Sequence, residues 1–221
     1  MRELVALFPA LDFRDLDGSF PRYLVAVAAL VHRQRRRSAG VASAYMRAMA
    51  RAHNLDGGVA GIKLAEPVES ERLATSLHAT SVGATKRAVR AGQEQQAAQA
   101  TAFVVAAGAV ARHVLNGGRE TVMRSAVAMP AARGWRRVAS PSGCTFCRTL
   151  AGRDELYTTG TSAEDFGAHD HCSCSVEPVF WATDTGVDPA DFRREVATYA
   201  PSSRYSTPAF ARARQREYLG E

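Results

Sequence analysis

All four cysteines of the chain lie in one short segment, 143–174, and this is where residues able to do chemistry are most concentrated. Cys144 and Cys147 form a C-x-x-C pair, and the hexapeptide 169–174 reads His-Asp-His-Cys-Ser-Cys. The C-x-x-C spacing lets two thiolates reach one tetrahedral ion, while the intervening backbone amides stabilise the sulfurs. A second pair of soft ligands further along the chain can complete a four-coordinate site. The segment therefore predicts a metal centre, with zinc as the ion.

The second half of the ligand set is ambiguous in the sequence. The hexapeptide holds two overlapping His-x-x-Cys pairs, which are His169 with Cys172 and His171 with Cys174. Either pair supplies one imidazole and one thiolate at the spacing of a second knuckle. The sequence thus favours a closed four-ligand zinc site in which the C-x-x-C cysteines are constant members, and it leaves the second pair open. A site with four protein ligands has no position for water, so such a zinc ion is structural.

The order of these motifs argues against several enzymes that use similar residues. Nucleobase deaminases place H-x-E upstream of P-C-x-x-C, whereas here the C-x-x-C comes first and no H-x-E is present. An HNH-type nuclease needs further ligands downstream, and the chain has no histidine after His171 and no asparagine after Asn116. No G-x-S-x-G supports a serine hydrolase, and no βαβ pattern precedes the C-x-x-C as in a redox motif. The site is therefore expected to stabilise a fold.

Composition and charge limit the class of protein. The chain has 221 residues, 46% of them hydrophobic and 23% charged, which suits one well-buried globular domain with a small appendage. The longest apolar run, 23–31, is too short to span a bilayer, and the first residues lack the apolar core of a signal peptide. A reducing cytosol is then expected, where clustered cysteines are more often metal ligands than disulfides. Small core cysteines and a disulfide pair are the alternative interpretations.

The first 130 residues have the periodicity of helices. Apolar residues at helical spacing predict a helix that opens near Pro21 and runs into a basic stretch, 33–37, which we interpret as a solvated helix end: Leu24, Val27, Ala28 and Val31. A second helix is predicted over 42–53, before Gly57-Gly58, and a weaker helical pattern covers 68–90. The strongest pattern predicts a helix over 99–115 with a C-cap at Asn116-Gly117-Gly118, followed by a new helix over 119–129.

The helical periodicity ends after Pro130, and strand and loop patterns follow. Strands are predicted over 135–139 and 175–180, the second an edge strand because it contains Pro178. Asp188-Pro189 predicts the start of a last helix, and a basic tail follows. We therefore expect a mainly α protein in three parts: a helical N-terminal domain, 1–130; a small α+β Cys/His zinc-binding module, 131–182; and a C-terminal helical tail, 183–221.

Several motifs occur in an order and spacing that resemble one protein family. The stretch 116–120 reads NGGRE, and GWRRV, CTFCRTLA, ELY, HDHCSC and EPVF follow it along the chain. This series resembles the MuF-like minor head proteins of tailed bacteriophages, in particular their actinobacteriophage branch. The specific motifs cover roughly 116–180, and the helical N-terminal half agrees in general character. In the wider family the hexapeptide usually reads H-P-x-C-x-C, which implies His169 and Cys172 as the second ligand pair, with Cys174 close by.

The resemblance also implies a role. Such proteins act in head morphogenesis, lie in the interior of the phage head, and are present in the host cytoplasm during assembly. The implied partners are the portal protein and the major capsid and scaffold proteins, with no membrane. The basic stretches 33–37 and 212–216 are the candidate contacts with an acidic portal surface or packaged DNA, which a net charge of +6 favours.

Some relatives are labelled capsid maturation proteases, and cleavage of scaffold or shell protein is the alternative function. We find no nucleophile, base and orienting group in the sequence that would support proteolysis, and cysteines held by zinc could not serve as nucleophiles. The expected protein is therefore a structural head component rather than an enzyme.

Overall fold

The computed structural model describes residues 2–53, 55, 61–141, 143–153, 156–159 and 163–180. These residues form seven α-helices, one 3-10 turn (Phe8–Ala10) and two strands. The helices are α1 (Arg2–Leu7), α2 (Leu16–Ala52), α3 (Ser70–Thr80), α4 (Val82–Arg90), α5 (Gln95–Ala128), α6 (Thr145–Ala151) and α7 (Ala163–Phe166), and the strands are β1 (Ala132–Val138) and β2 (Ser175–Phe180). The predicted mainly α fold with a small sheet is confirmed. The predicted last helix, Gly57-Gly58 and the basic tail lie outside the described residues.

The described residues form two compact units. The first unit comprises 2–42, Leu64–Glu120 and Gly167–Cys172. The second unit comprises the described residues of Ser43–Lys63, Thr121–Phe166 and those from 173 to 180. Helices α2 and α5 each contribute their first part to the first unit and their last part to the second.

The first unit has an apolar core contributed by α1 to α5. Phe8 lies edge-on to Tyr23 and to Phe103, with ring centroids 5.9 Å and 5.1 Å apart. The stripe predicted on α2 is confirmed: Val27 and Val31 are fully buried, and Leu24 and Ala28 are partly buried against the same core. Tyr23 keeps its hydroxyl in this apolar core, where burial raises its pKa to about 12. The apolar side of the predicted helix over 99–115 also packs into this core.

Helix α2 is continuous from Leu16 to Ala52, so the prediction of one helix from near Pro21 and a second over 42–53 is wrong. Pro21 lies in the second turn of α2, and the helix continues through it with the loss of one N–H donor. A buried row continues past the expected break at helical spacing: Val31, Arg35, Ala39, Ala42, Met46 and Ala50. Burial of that row favours one long helix over two short ones.

The basic stretch on α2 is not a solvated helix end, because it lies in mid-helix and one of its arginines is buried. Arg35 is 5% exposed and forms an ion pair with Glu120. Its guanidinium also donates to the carbonyl oxygens of Glu66 at 2.9 Å and His113 at 3.0 Å. Arg36 and Arg37 are exposed. The stretch therefore divides into a structural residue and exposed cations.

Helix α5 runs without interruption from Gln95 to Ala128, so the predicted C-cap at 116–118 is also wrong. A Cβ atom added at Gly117 would lie 2.7 Å from Cγ of Arg35, and one added at Gly118 would lie 2.9 Å from Oγ of Ser38. The Gly118 N–H donates to that hydroxyl at 3.1 Å. The two glycines thus serve a close approach of α2 and α5 within the first unit, and they do not end a helix.

Helix α5 is also long and apolar enough to cross a membrane, judged by length and composition alone. Of its most apolar window, 44% is buried inside the protein. Its face in the first unit carries the buried polar residues His113, Asn116, Arg119 and Glu120 beside the apolar ones. A core helix has this composition as readily as a membrane span does.

The second unit contains the sheet. Strands β1 and β2 pair antiparallel, with Trp135 opposite Pro178, and both predicted strands are confirmed. Trp135 is 1% exposed, stacks on the ring of Tyr157 at 4.3 Å, and donates its indole N–H to the carbonyl oxygen of Thr159 at 2.9 Å. Gly134 has a φ of 143° and lies so close to the Tyr157 backbone that a side chain would collide with it. The sheet is therefore held against the loop that follows α6.

Candidate metal centre

The C-x-x-C cysteines are positioned by the start of α6. Cys144 has extended backbone immediately before the helix, and Cys147 lies in its first turn. The Arg148 N–H donates to the Cys144 carbonyl oxygen at 3.0 Å, which fixes that turn. The Sγ atoms of the two cysteines consequently lie within 4.8 Å of one another. Cys147 is fully buried, whereas Cys144 lies nearer the surface.

A third cysteine sulfur of the second unit lies close to that of Cys147. Cys174 directly precedes β2, and its Sγ atom accepts the backbone N–H of Ser140 at 3.4 Å. The Sγ atoms of Cys174 and Cys147 also lie within 4.8 Å of each other. Zinc–sulfur bonds of about 2.3 Å in a tetrahedron place sulfurs about 3.8 Å apart, so each of these spacings suits two ligands of one ion. Cys144 and Cys174, however, do not share a group within 4.8 Å. The cysteine side chains of this unit could therefore bind a metal ion.

A buried arginine provides positive charge beside the sulfurs. Arg137 is 6% exposed, and one of its terminal nitrogens lies 3.6 Å from Sγ of Cys147 in donor geometry. Its guanidinium carbon lies 3.7 Å from the ring centroid of Phe166, and it donates to that residue's carbonyl oxygen. A cation at this distance in a poorly solvated place interacts favourably with a thiolate. It would offset part of the excess negative charge of a thiolate-rich site.

The remaining candidate ligands, His169, His171 and Cys172, belong to the first unit, in the segment Gly167–Cys172. The Cys172 N–H donates to the His169 carbonyl oxygen at 3.1 Å, so the four residues form a turn. The exposed ring of His169 has Nδ1 at 2.6 Å from the Asp170 carbonyl oxygen. Cys172 is 3% exposed. We name residues 169–172 the ligand turn.

Two arginines of α5 hold the ligand turn. Nε of Arg112 donates to the Asp170 carboxylate at 2.7 Å, and Nη2 of Arg119 donates to the Cys172 carbonyl oxygen at 2.6 Å. Arg119 is itself fixed by the amide oxygen of Asn116 at 2.8 Å. Asp170 is thus engaged in an ion pair with Arg112. The NGGRE motif, interpreted above as a helix break, therefore contributes Arg119, which supports the ligand turn.

The arginines were missed by reasoning from the sequence. Arg137 lies two residues after Trp135 in β1, so strand alternation places both side chains on the same buried face. An arginine at an inward-facing strand position shortly before a C-x-x-C pair could therefore have been predicted to lie near the cysteine sulfurs. Arg112 and Arg119 lie seven residues apart, which is the same face of a helix, but nothing local pairs that face with the hexapeptide.

Fold and site together define a mainly helical protein with a small cysteine-rich sheet module. The family model described as VG15 protein matches residues 1–200, and the chain belongs to this family. It is a viral family of phage type, as the resemblance seen in the sequence implies. No curated protein and no solved structure matches the chain.

Proposed function

We propose that the protein is a minor head protein of a tailed phage, with a structural zinc site and no catalytic activity. The observation that carries the proposal is membership of a phage-type viral family by a chain whose sulfurs are grouped for metal binding. Its place of action is the interior of the phage head, reached from the host cytoplasm during assembly. Its partners are the portal protein and the major capsid and scaffold proteins.

The proposed zinc ligands are Cys144, Cys147, His169 and Cys172, as the sequence and the family resemblance suggest, with Cys174 and His171 as alternates. Cys174 has structural support, because its sulfur lies near that of Cys147. Only Ser173 separates it from Cys172, so the Cα atoms of those two cysteines lie within about 7 Å of each other whatever their surroundings. The chain itself therefore keeps the ligand turn near the sulfurs, and four protein donors leave no position for a reacting water.

A structural role requires contact surfaces rather than a reactive side chain. Arg36 and Arg37 are the exposed cations of the basic stretch, since Arg35 is buried and Arg33 is paired with Glu3. Exposed arginines suit an acidic portal surface or the phosphates of packaged DNA, and their contribution falls with salt. The second basic stretch, 212–216, lies outside the described residues and is a candidate by sequence alone.

The test is a count of the protein in procapsids, set beside a gel of the shell protein. The double variant Arg36→Glu, Arg37→Glu should be incorporated poorly, while Ser140→Ala should be incorporated normally and leave the shell protein unchanged in size. A capsid maturation protease would behave in the opposite way. A point change that stops cleavage of shell or scaffold protein, with normal incorporation, would overturn the structural role.

A further inference from the structure

Besides its hydrogen bonds and its ion pair, the ligand turn makes a steric contact through His171. His171 has a φ of 62°, and it is the only non-glycine residue with a positive φ among the described residues. That left-handed conformation is strained for most side chains and persists where surrounding contacts impose it. In this protein the contact is with α5, on which the imidazole ring lies.

The imidazole ring packs against α5 at Gly108. A Cβ atom added there would lie 2.5 Å from Cδ2 and 2.9 Å from Cε1 of His171, well inside contact distance. Glycine in mid-helix lowers helix stability relative to alanine, so its presence here calls for a reason, and the close approach of the ring supplies one. By contrast Gly40, also inside a helix, has no atom within 4 Å of such a Cβ.

Gly108, Arg112 and Arg119 lie along one side of α5 and contact successive residues of the turn. The ring of His171 meets Gly108, the Asp170 carboxylate meets Arg112, and the Cys172 carbonyl oxygen meets Arg119. Three different interactions, steric, ionic and hydrogen-bonding, thus act on three consecutive residues. Together they fix both the direction of the turn and its distance from the helix axis.

We infer that Gly108 and His171 are positioning residues of the metal centre. The imidazole ring packs against the glycine, and this contact fixes the position of the ligand turn so that His169 and Cys172 present their donor atoms. His171 acts through this contact and not as a ligand. The inference rests on the proposed zinc site. Groups that orient ligands without touching the metal change affinity by about 10- to 100-fold when they are altered.

The decisive variant is Gly108→Ala, with Gly40→Ala as its matched control. Both changes raise helix propensity, so neither should unfold the protein. Gly108→Ala pushes the imidazole ring away and should weaken zinc binding about 10-fold or more, as measured by competition with a chromophoric zinc chelator. Gly40→Ala should bind zinc as the wild type does. Wild-type affinity in Gly108→Ala would overturn the inference.

The variant His171→Gly separates a positioning residue from a ligand. Glycine accepts the left-handed conformation and removes the ring, so His171→Gly combined with Gly108→Ala should bind zinc more tightly than Gly108→Ala alone. His171→Gly by itself should weaken zinc binding by no more than about 100-fold, as expected for a group that orients ligands. A larger loss would show that His171 is a ligand and would contradict the inference.

A second measurement keeps this inference distinct from the zinc proposal. The Cys172 amide, bonded to the His169 carbonyl, should exchange its hydrogen faster in Gly108→Ala than in Gly40→Ala, both without metal. A wild-type protein that binds no zinc would refute the zinc proposal, and the exchange rates would still test the contact. Equal exchange in the two variants would refute the contact itself.

Discussion

The two units reach a folded state by different means. The first unit buries a large apolar cluster from five helices, including Leu73, Leu77 and Val110. In the sheet and loops of the second unit the buried set is smaller and chemically mixed, with Trp135 and Phe166 beside Arg137 and the cysteines. A two-stranded sheet is marginally stable on its own. Apolar burial can therefore account for the helices, whereas the cysteine-rich module needs a further source of stability.

A metal ion is the source that the cysteines suggest. Binding of structural zinc is local folding free energy, because the ligands are not assembled in the unfolded chain. We expect no such dependence of the helical core of the first unit, since its buried side chains are mostly aliphatic and aromatic.

The largest effect is expected from Cys147→Ser, which removes the most buried cysteine of the second unit. Zinc should be lost, and the segment from β1 to β2 should become sensitive to protease, because about 10 kcal/mol of binding free energy is no longer available. Helicity measured by circular dichroism should stay near the wild-type value. Ser173→Ala, an exposed neighbour of the cysteines, is the control and should remain resistant. Equal resistance in Cys147→Ser and wild type would remove the proposed difference between the units.

The next effect concerns the first unit and should be independent of metal. Glu120→Ala leaves the buried guanidinium of Arg35 without its carboxylate and should lower the free energy of unfolding by about 3–5 kcal/mol. Glu3→Ala removes the exposed partner of Arg33 and should cost less than about 1 kcal/mol. Urea unfolding of both variants gives the two values. Similar values would show that burial of the Arg35 pair does not matter.

Acid should also destabilise the first unit through His113. Burial, and then the charges of Arg112 and Arg35, lower the pKa of this histidine from 6.5 to about 4. Between those values the unfolded chain binds the proton more readily, so stability is complete above pH 6.5 and falls as the pH drops towards 4. The loss at full protonation is about 3 kcal/mol. His113→Gln should flatten the stability profile in this window, and an unchanged pH dependence in that variant would contradict the assignment.

The smallest effect on stability is expected from reversing the exposed cations. Arg36→Glu with Arg37→Glu should change the free energy of unfolding by no more than about 0.5 kcal/mol for each residue, since neither is buried. Binding to the portal protein or to DNA should nevertheless weaken, and the wild-type interaction should decrease with salt. Salt-independent binding by the wild type would exclude this surface as an electrostatic contact.

The sequence was sufficient for elements whose signal is local. Strand β2 follows directly from alternation over Ser175–Phe180, and the apolar stripe of α2 follows from its helical period. The proximity of the Cys144 and Cys147 sulfurs also follows from the C-x-x-C spacing, because one helical turn brings the two residues together. In these cases the interacting residues are neighbours in the chain, so periodicity alone identifies them.

The errors arose where a tertiary contact outweighs a local preference. Gly117 and Gly118 resemble a C-cap, yet they continue α5 because α2 packs against them in the first unit. Arg35 resembles its exposed neighbours, but Glu120, far along the chain, makes it a buried residue. The contact of His171 with Gly108 likewise depends on a helix many residues away along the chain. Such long-range partners leave no local pattern in a single sequence.

The metal content of the purified chain tests the central claim most directly. Protein prepared without chelator should contain about one zinc ion per molecule by elemental analysis, and removal of that ion should expose thiols and make the segment from β1 to β2 protease-sensitive. The helices of the first unit should remain folded throughout. A metal-free protein with four reactive thiols and a resistant sheet module would contradict the account.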